Sequence, residues 1–206
     1  MKYNFNPGDI ERESMAIIER NVPELSGLPV GERNIIKRII HTTGDFNIAS
    51  LVKIHPLAVG NGLTAMRRGC KIYVDVNMAL AGFNKSKMES FNIRAICRIN
   101  EPDVIREAAK SGKTRAMVAM QTSGPMSGDI VVIGNAPTAL FSLCEMIQAG
   151  QADPALVIGT PVGFVGASES KELLVNLNKV PYITVLGTRG GSTIAAAAVN
   201  ALLYMT

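Results

Sequence analysis

From Cys70 onward the chain repeats one pattern of apolar and polar positions: a short β-branched run, a turn rich in Gly, Asn, Pro or Thr, then a helical stretch. "CKIYVDVNMALAGF" is the first such unit, and "NIRAICRINEPDVIREAAKSG" is the second. "DIVVIGNAPTALFSLCEMIQAG", "PALVIGTPVGFVGASESKELLVNLN" and "PYITVLGTRGGSTIAAAAVNALLYM" complete the series. Runs of this length suit buried strands, and the stretches between them suit crossover helices. Strict alternation of the two predicts an α/β fold of three layers, with a largely parallel five-stranded sheet and helices on both faces. The first sixty-odd residues add helices ahead of the sheet.

Two of those helices carry the polar residues of interest. Asp9 is a plausible N-cap for "DIERESMAIIER", in which Ile10, Ser14, Ile17 and Ile18 share one face. Ser14 thus sets a hydroxyl within an apolar stripe, where it either bonds back to its own helix or serves a ligand. A second helix, Gly31 to His41, follows Pro29. Ile35, Ile36, Ile39 and Ile40 form its apolar stripe, and His41 lies nearly opposite, with Arg38 three residues earlier on the same side. His41 is therefore no core histidine. It is either a surface group at a helix end or a proton donor working near neutral pH. His55, ahead of a proline in a loop, is read as a bystander.

Size and composition narrow the class. With 206 residues, 47% hydrophobic and 18% charged, one globular domain spanning 1–206 is expected. The polar start "MKYNFNPGDIERES" is not a signal peptide, and "IAAAAVNALLYM" is too short to cross a bilayer, which points to a soluble, cytoplasmic protein. Three scattered cysteines, Cys70, Cys97 and Cys144, show no metal-ligand spacing and read as small buried hydrophobes. The net charge of +4 marks either an ordinary solvated surface or a taste for anionic ligands. Nucleic acid is a poor candidate, because aromatics make up only 5% and Trp is absent.

In open parallel sheets, ligands sit beyond the carboxyl ends of the strands. That rule selects the loops opening at Asp75 and Asn77, Gly134–Asn135, Gly159–Pro161 and Gly187–Gly191. Neither G-x-x-x-x-G-K-[ST] nor G-x-G-x-x-G occurs in them, so a nucleotide-dependent enzyme is disfavoured. Turn geometry explains any one such loop, whereas several on one sheet edge point to a ligand.

The wording of these segments resembles the precorrin-8X methylmutase family of cobalamin biosynthesis. "VIGNAPTALF", "IGTPVGFVGASESK" and "GTRGGSTIAAAAVNAL" carry the resemblance, with "IERESMAII", "RIIHTTGD", "VDVNMALAG" and "KTRAMVAM" in the same order. It spans the chain from about residue 9 to the end. The chain departs from the family pattern at Thr188, where a basic residue is expected; Arg189 keeps a positive charge there. The resemblance implies a flavodoxin-like fold, a homodimer and an isomerase without cofactor or metal. It moves a methyl group between ring carbons of precorrin-8X or cobalt-precorrin-8 by a [1,5]-sigmatropic shift. His41 falls on the family's catalytic histidine. Ser14, Arg38, Thr42, Asp75, Arg115, Asn135, Thr138, Gly163, Arg189, Gly190, Gly191 and Ser192 are the expected substrate-binding residues, serving a polycarboxylate tetrapyrrole. A corrinoid carrier without catalysis is the competing reading.

Overall fold

The computed structural model describes residues 5–206; the first four residues of the polar amino-terminal stretch lie outside the described residues. In chain order the helices are α1 (Pro7–Asn21), α2 (Val30–Thr43), α3 (Ala58–Arg67), α4 (Asn77–Ala81), α5 (Lys85–Ser90), α6 (Pro102–Ser111), α7 (Arg115–Gln121), α8 (Pro137–Gln148), α9 (Ala167–Leu177) and α10 (Ser192–Met205). The strands are β1 (Val52–Ile54), β2 (Lys71–Val74), β3 (Arg94–Ile96), β4 (Ile130–Ile133), β5 (Leu156–Gly159) and β6 (Tyr182–Val185).

All five strand–loop–helix units fold as their patterns predict, but the sheet has six strands, in the order β1-β6-β5-β4-β2-β3. Five run parallel; β1 pairs antiparallel with β6, Val52 opposite Val185 and Ile54 opposite Ile183. The expected count of five therefore omitted an edge strand. Three residues show no readable periodicity, and "VKI" becomes a strand only because β6 offers it an unpaired edge. Flanking bonds from His55 N–H to the Tyr182 carbonyl (2.9 Å) and from Leu186 N–H to the Leu51 carbonyl (2.9 Å) extend the pairing.

Side chains alternate along each parallel strand between two cores. Ile130, Val132, Leu156 and Ile158 join the stripe of α2 (Ile35, Ile36, Ile39, Ile40) and the apolar face of α10. Val131, Ile133 and Val157 face α8 and α9 on the other side. Burying a side chain such as Ile39 stabilises the fold by about 1.5–3 kcal/mol, and Ile39 is fully buried. Cys70 and Cys144 are buried, and desolvation pushes both thiols up to about 12. Cys97 is half-buried, and its thiol is also raised by burial.

The cap of α1 differs from expectation. Asn6, not Asp9, is the N-cap: its side-chain oxygen accepts from the amides of Gly8 (2.9 Å) and Asp9 (3.3 Å). Pro7 fixes the first helical residue and so draws the start three residues earlier. Asp9 then sits in the first turn, where it pairs with Arg12 and complements the helix dipole. At the other end of this region, α2 stops at Gly44, whose φ of 65° gives a left-handed C-cap.

Candidate active site

Four loops at the carboxyl edge of the sheet are tied to one another. Asp75, directly after β2, is completely buried; one carboxylate oxygen accepts from Gly134 N–H (3.0 Å), the other from Asn135 and Ala136 N–H (2.8 Å each). Burial pushes its carboxyl above the ordinary range, against the opposing pull of those amides. The expected substrate contact for Asp75 is thereby corrected. Its oxygens are spent on the β4–α8 loop, because three successive amides at the loop start need acceptors.

The loops after β5 and β6 lie equally close. A side chain at Gly190 would overlap the carbonyl oxygens of Thr160 and Pro161, so only glycine fits. Gly191 N–H donates to the Thr160 carbonyl (2.7 Å) and Gly163 N–H to that of Thr188 (3.1 Å). Ser192 opens α10 and is buried, its Cα against Gly134. Between the positive-φ residues Gly163 and Gly166, Phe164 and Val165 stand 93% and 89% exposed. Such exposure is unusual for two neighbouring large apolar side chains.

His41 lies exposed in the last turn of α2. Together with Ser14, Ile17, Ile18, Ile40, Gly44 and Phe46 it lines a hollow of about 170 Å³ between α1 and α2. Ser14 Oγ donates to the Ile10 carbonyl (2.8 Å), so of its two readings the bond to its own helix is present; its lone pairs remain available as acceptors. Arg38 lines a separate hollow of about 190 Å³ with Glu11, Met15 and Tyr204. Its guanidinium donates to Glu11 (2.6 Å) and lies 4.4 Å from the centre of the Tyr204 ring. The structure thus brings Ser14 and His41 into one hollow and sets Arg38 in another. Thr42 is exposed beside His41.

An ion pair links the helix end to the sheet edge: Arg189, in the β6–α10 loop, binds Asp45 just beyond α2. Arg115 and Thr138 have separate partners elsewhere in the fold. Thr138 Oγ1 is 2.8 Å from Thr114 Oγ1, and the exposed Arg115 donates to Asn100 (3.3 Å). Asn135 is exposed at the same loop. A roomier cavity of about 670 Å³ between α6 and α7 is lined by Asp103, Arg106, Glu107, Lys110 and Lys113 among others, and contains none of the nominated residues.

Several participants escape a sequence reading. Glu11, Tyr204 and Asp45 orient the two arginines, and nothing in their spacing announces it. Lys171 is different. It is completely buried and donates from Nζ to the Arg189 carbonyl at 2.7 Å. Its place was legible, since Ala167, Ser170, Lys171 and Leu174 fall on one helical face, all buried.

Comparison with known proteins follows this geometry. The model of the precorrin-8X methylmutase family matches residues 9–205. A precorrin-8X methylmutase of Pseudomonas aeruginosa is 45% identical over 195 residues, covering 94% of this chain and 93% of that protein. A cobalt-precorrin-8 methylmutase of Salmonella typhimurium is 41% identical over 211 residues, covering 99% and 98%. The crystal structure of a precorrin-8X methylmutase from Thermus thermophilus superposes with a TM-score of 0.85 at 36% identity, covering 95% of this chain and 96% of that one.

Proposed function

The chain belongs to the precorrin-8X methylmutase family, and on that premise we propose that His41 supplies the proton that drives its reaction. The reaction is an isomerisation in cobalamin biosynthesis, in which a methyl group moves from C-11 to C-12 of precorrin-8X or cobalt-precorrin-8. The observation that carries the assignment is an exposed imidazole beside an apolar hollow, on a helix end clamped to the ligand edge by Asp45 and Arg189.

Imidazole exchanges a proton near neutral pH. Donated to a ring nitrogen, that proton draws electron density from the π system and favours the tautomer in which the methyl can migrate. The methyl moves with its bonding pair, and the proton returns to the imidazole as product forms. No redox partner or methyl donor is required. Ser14 presents acceptor lone pairs to the protonated ring. Arg38, Arg115 and Arg189 hold acetate and propionate arms, with Thr42, Asn135, Thr138, Gly163, Gly190, Gly191 and Ser192 at the rim. A ring that buries on the order of 400 Å² of apolar surface gains roughly 10 kcal/mol gross. Ile17 and Phe46 offer one apolar seat, Phe164 and Val165 another. Ring burial therefore supplies most of the grip, and the arginines set orientation.

The hollow beside His41 measures about 170 Å³. Sites for ligands of this kind usually enclose at least about 300 Å³. The shortfall supports a homodimer in which a second copy closes the site. The parallel strands, in the order β3-β2-β4-β5-β6, support a flavodoxin-like core with β1 added at its edge. We read the chain as a single cytoplasmic methylmutase domain; no described helix is long and apolar enough to cross a membrane.

The test is direct. Purified protein mixed with precorrin-8X or its cobalt form is expected to develop the visible spectrum of the corrin product. His41→Ala should lower turnover by about 10²–10⁴-fold while still binding corrinoid. Binding by the wild type without spectral change would identify a carrier and refute the assignment, as would equal turnover by the variant.

A further inference from the structure

Beneath the β6–α10 loop lies a charged group that the reaction scheme does not use. Lys171 occupies the inner face of α9 among Ala167, Ser170 and Leu174, where an apolar residue would ordinarily stand. Taking an ammonium out of water is costly unless it is paired. Among the described residues Lys171 makes no ion pair, and its one hydrogen bond runs from Nζ to the Arg189 carbonyl. Burial is the only cause that lowers its pKa, to about 8, so no nearby charge offsets its desolvation. A buried cation with a single acceptor, on the loop that carries a nominated ligand residue, contributes little to stability and much to placement.

We propose that Lys171 is a positioning residue of the methylmutase site, fixing the Arg189 backbone from below so that the Arg189 side chain faces the ligand. This rests on the function proposed above. Arg189 is held twice, its carbonyl by Lys171 and its guanidinium by Asp45. A substrate carboxylate must take the guanidinium from Asp45, and the backbone must stay in place while the side chain swings. The charge-assisted bond from Lys171 provides that fixed pivot.

A double-mutant cycle tests it. Wild type, Lys171→Met, Arg189→Ala and the double variant are compared in KM and kcat for the methylmutase substrate, and in Kd for the corrin product. Lys171→Met is expected to raise KM and Kd about tenfold, as the loss of one charge-assisted contact does. Its kcat should stay within about twofold, and its melting temperature should equal or exceed that of the wild type. Once Arg189 is Ala, removing Lys171 should cost nothing more, because one acts through the other. Effects that multiply, or an unchanged KM and Kd, would overturn the proposal. If Lys171→Met does not fold, Lys171→Gln, which keeps an N–H donor, runs the same cycle. Failure of both to fold would also overturn it, making Lys171 a folding requirement. A wild type that binds product without turnover refutes the methylmutase reading, yet the cycle in Kd still decides Lys171.

Discussion

Replacing Asp75 by Asn changes one atom in a buried site and separates loop support from ligand contact. Oδ2 accepts from Asn135 and Ala136 N–H, and Oδ1 from Gly134 N–H. An amide has only one acceptor oxygen. Its best orientation keeps that oxygen on the two-donor side and turns its NH₂ toward Gly134, donor against donor. One charge-assisted bond worth about 1.5–3 kcal/mol is lost, and a buried N–H left without a partner costs about 1–3 kcal/mol more. Relief of the carboxylate's desolvation, the cause of its raised pKa, offsets part of this. The net loss is about 2–4 kcal/mol, which for a chain of this length lowers the melting temperature by about 5–15 °C. Calorimetry and urea titration measure it, with Asp75→Ala in parallel. KM should change only as far as the loosened β4–α8 loop allows. A variant as stable as the wild type but with a sharply raised KM would refute the reasoning, since Asp75 would then be facing the ligand.

Gly190→Ala forces a methyl group against two backbone carbonyls that cannot turn away, so a loss of about 1–3 kcal/mol in stability and about tenfold in KM is expected. A variant indistinguishable from wild type in urea titration and kinetics would show that the two loops are not in register. Lys171 is held to about 8 against an ordinary 10.5, so the unfolded chain binds more protons between those values and wild-type stability rises with pH across that window. Any stability lead of Lys171→Met near neutral pH should therefore shrink as pH climbs from about 8 towards 10.5 in denaturant titrations; a constant gap would contradict the burial of the amine. The chain contains no tryptophan, so Phe164→Trp makes a single reporter at a fully exposed site. Its emission should be quenched when corrinoid is added at fixed protein concentration; emission that answers dilution but not ligand would assign the loop to a subunit contact instead.

Local pattern was enough for much of this protein. The β-branched runs and their following helices placed five strands, because side-chain periods of 2 and 3.6 are written in neighbouring residues. The stripe Ile35, Ile36, Ile39, Ile40 put His41 on the outer face of α2 for the same reason, and the glycine-rich turns marked the carboxyl ends of the strands. Tertiary structure alone decided the rest. β1 exists because β6 offers an edge, and Asp75 is spent on amides 59 to 61 residues away. Arg189 meets Asp45 across 144 residues, and the buried Lys171 ammonium finds its acceptor 18 residues away, at the Arg189 carbonyl. Such contacts depend on where the packed sheet and helices bring distant segments, and a charge goes underground only where that packing supplies its acceptor.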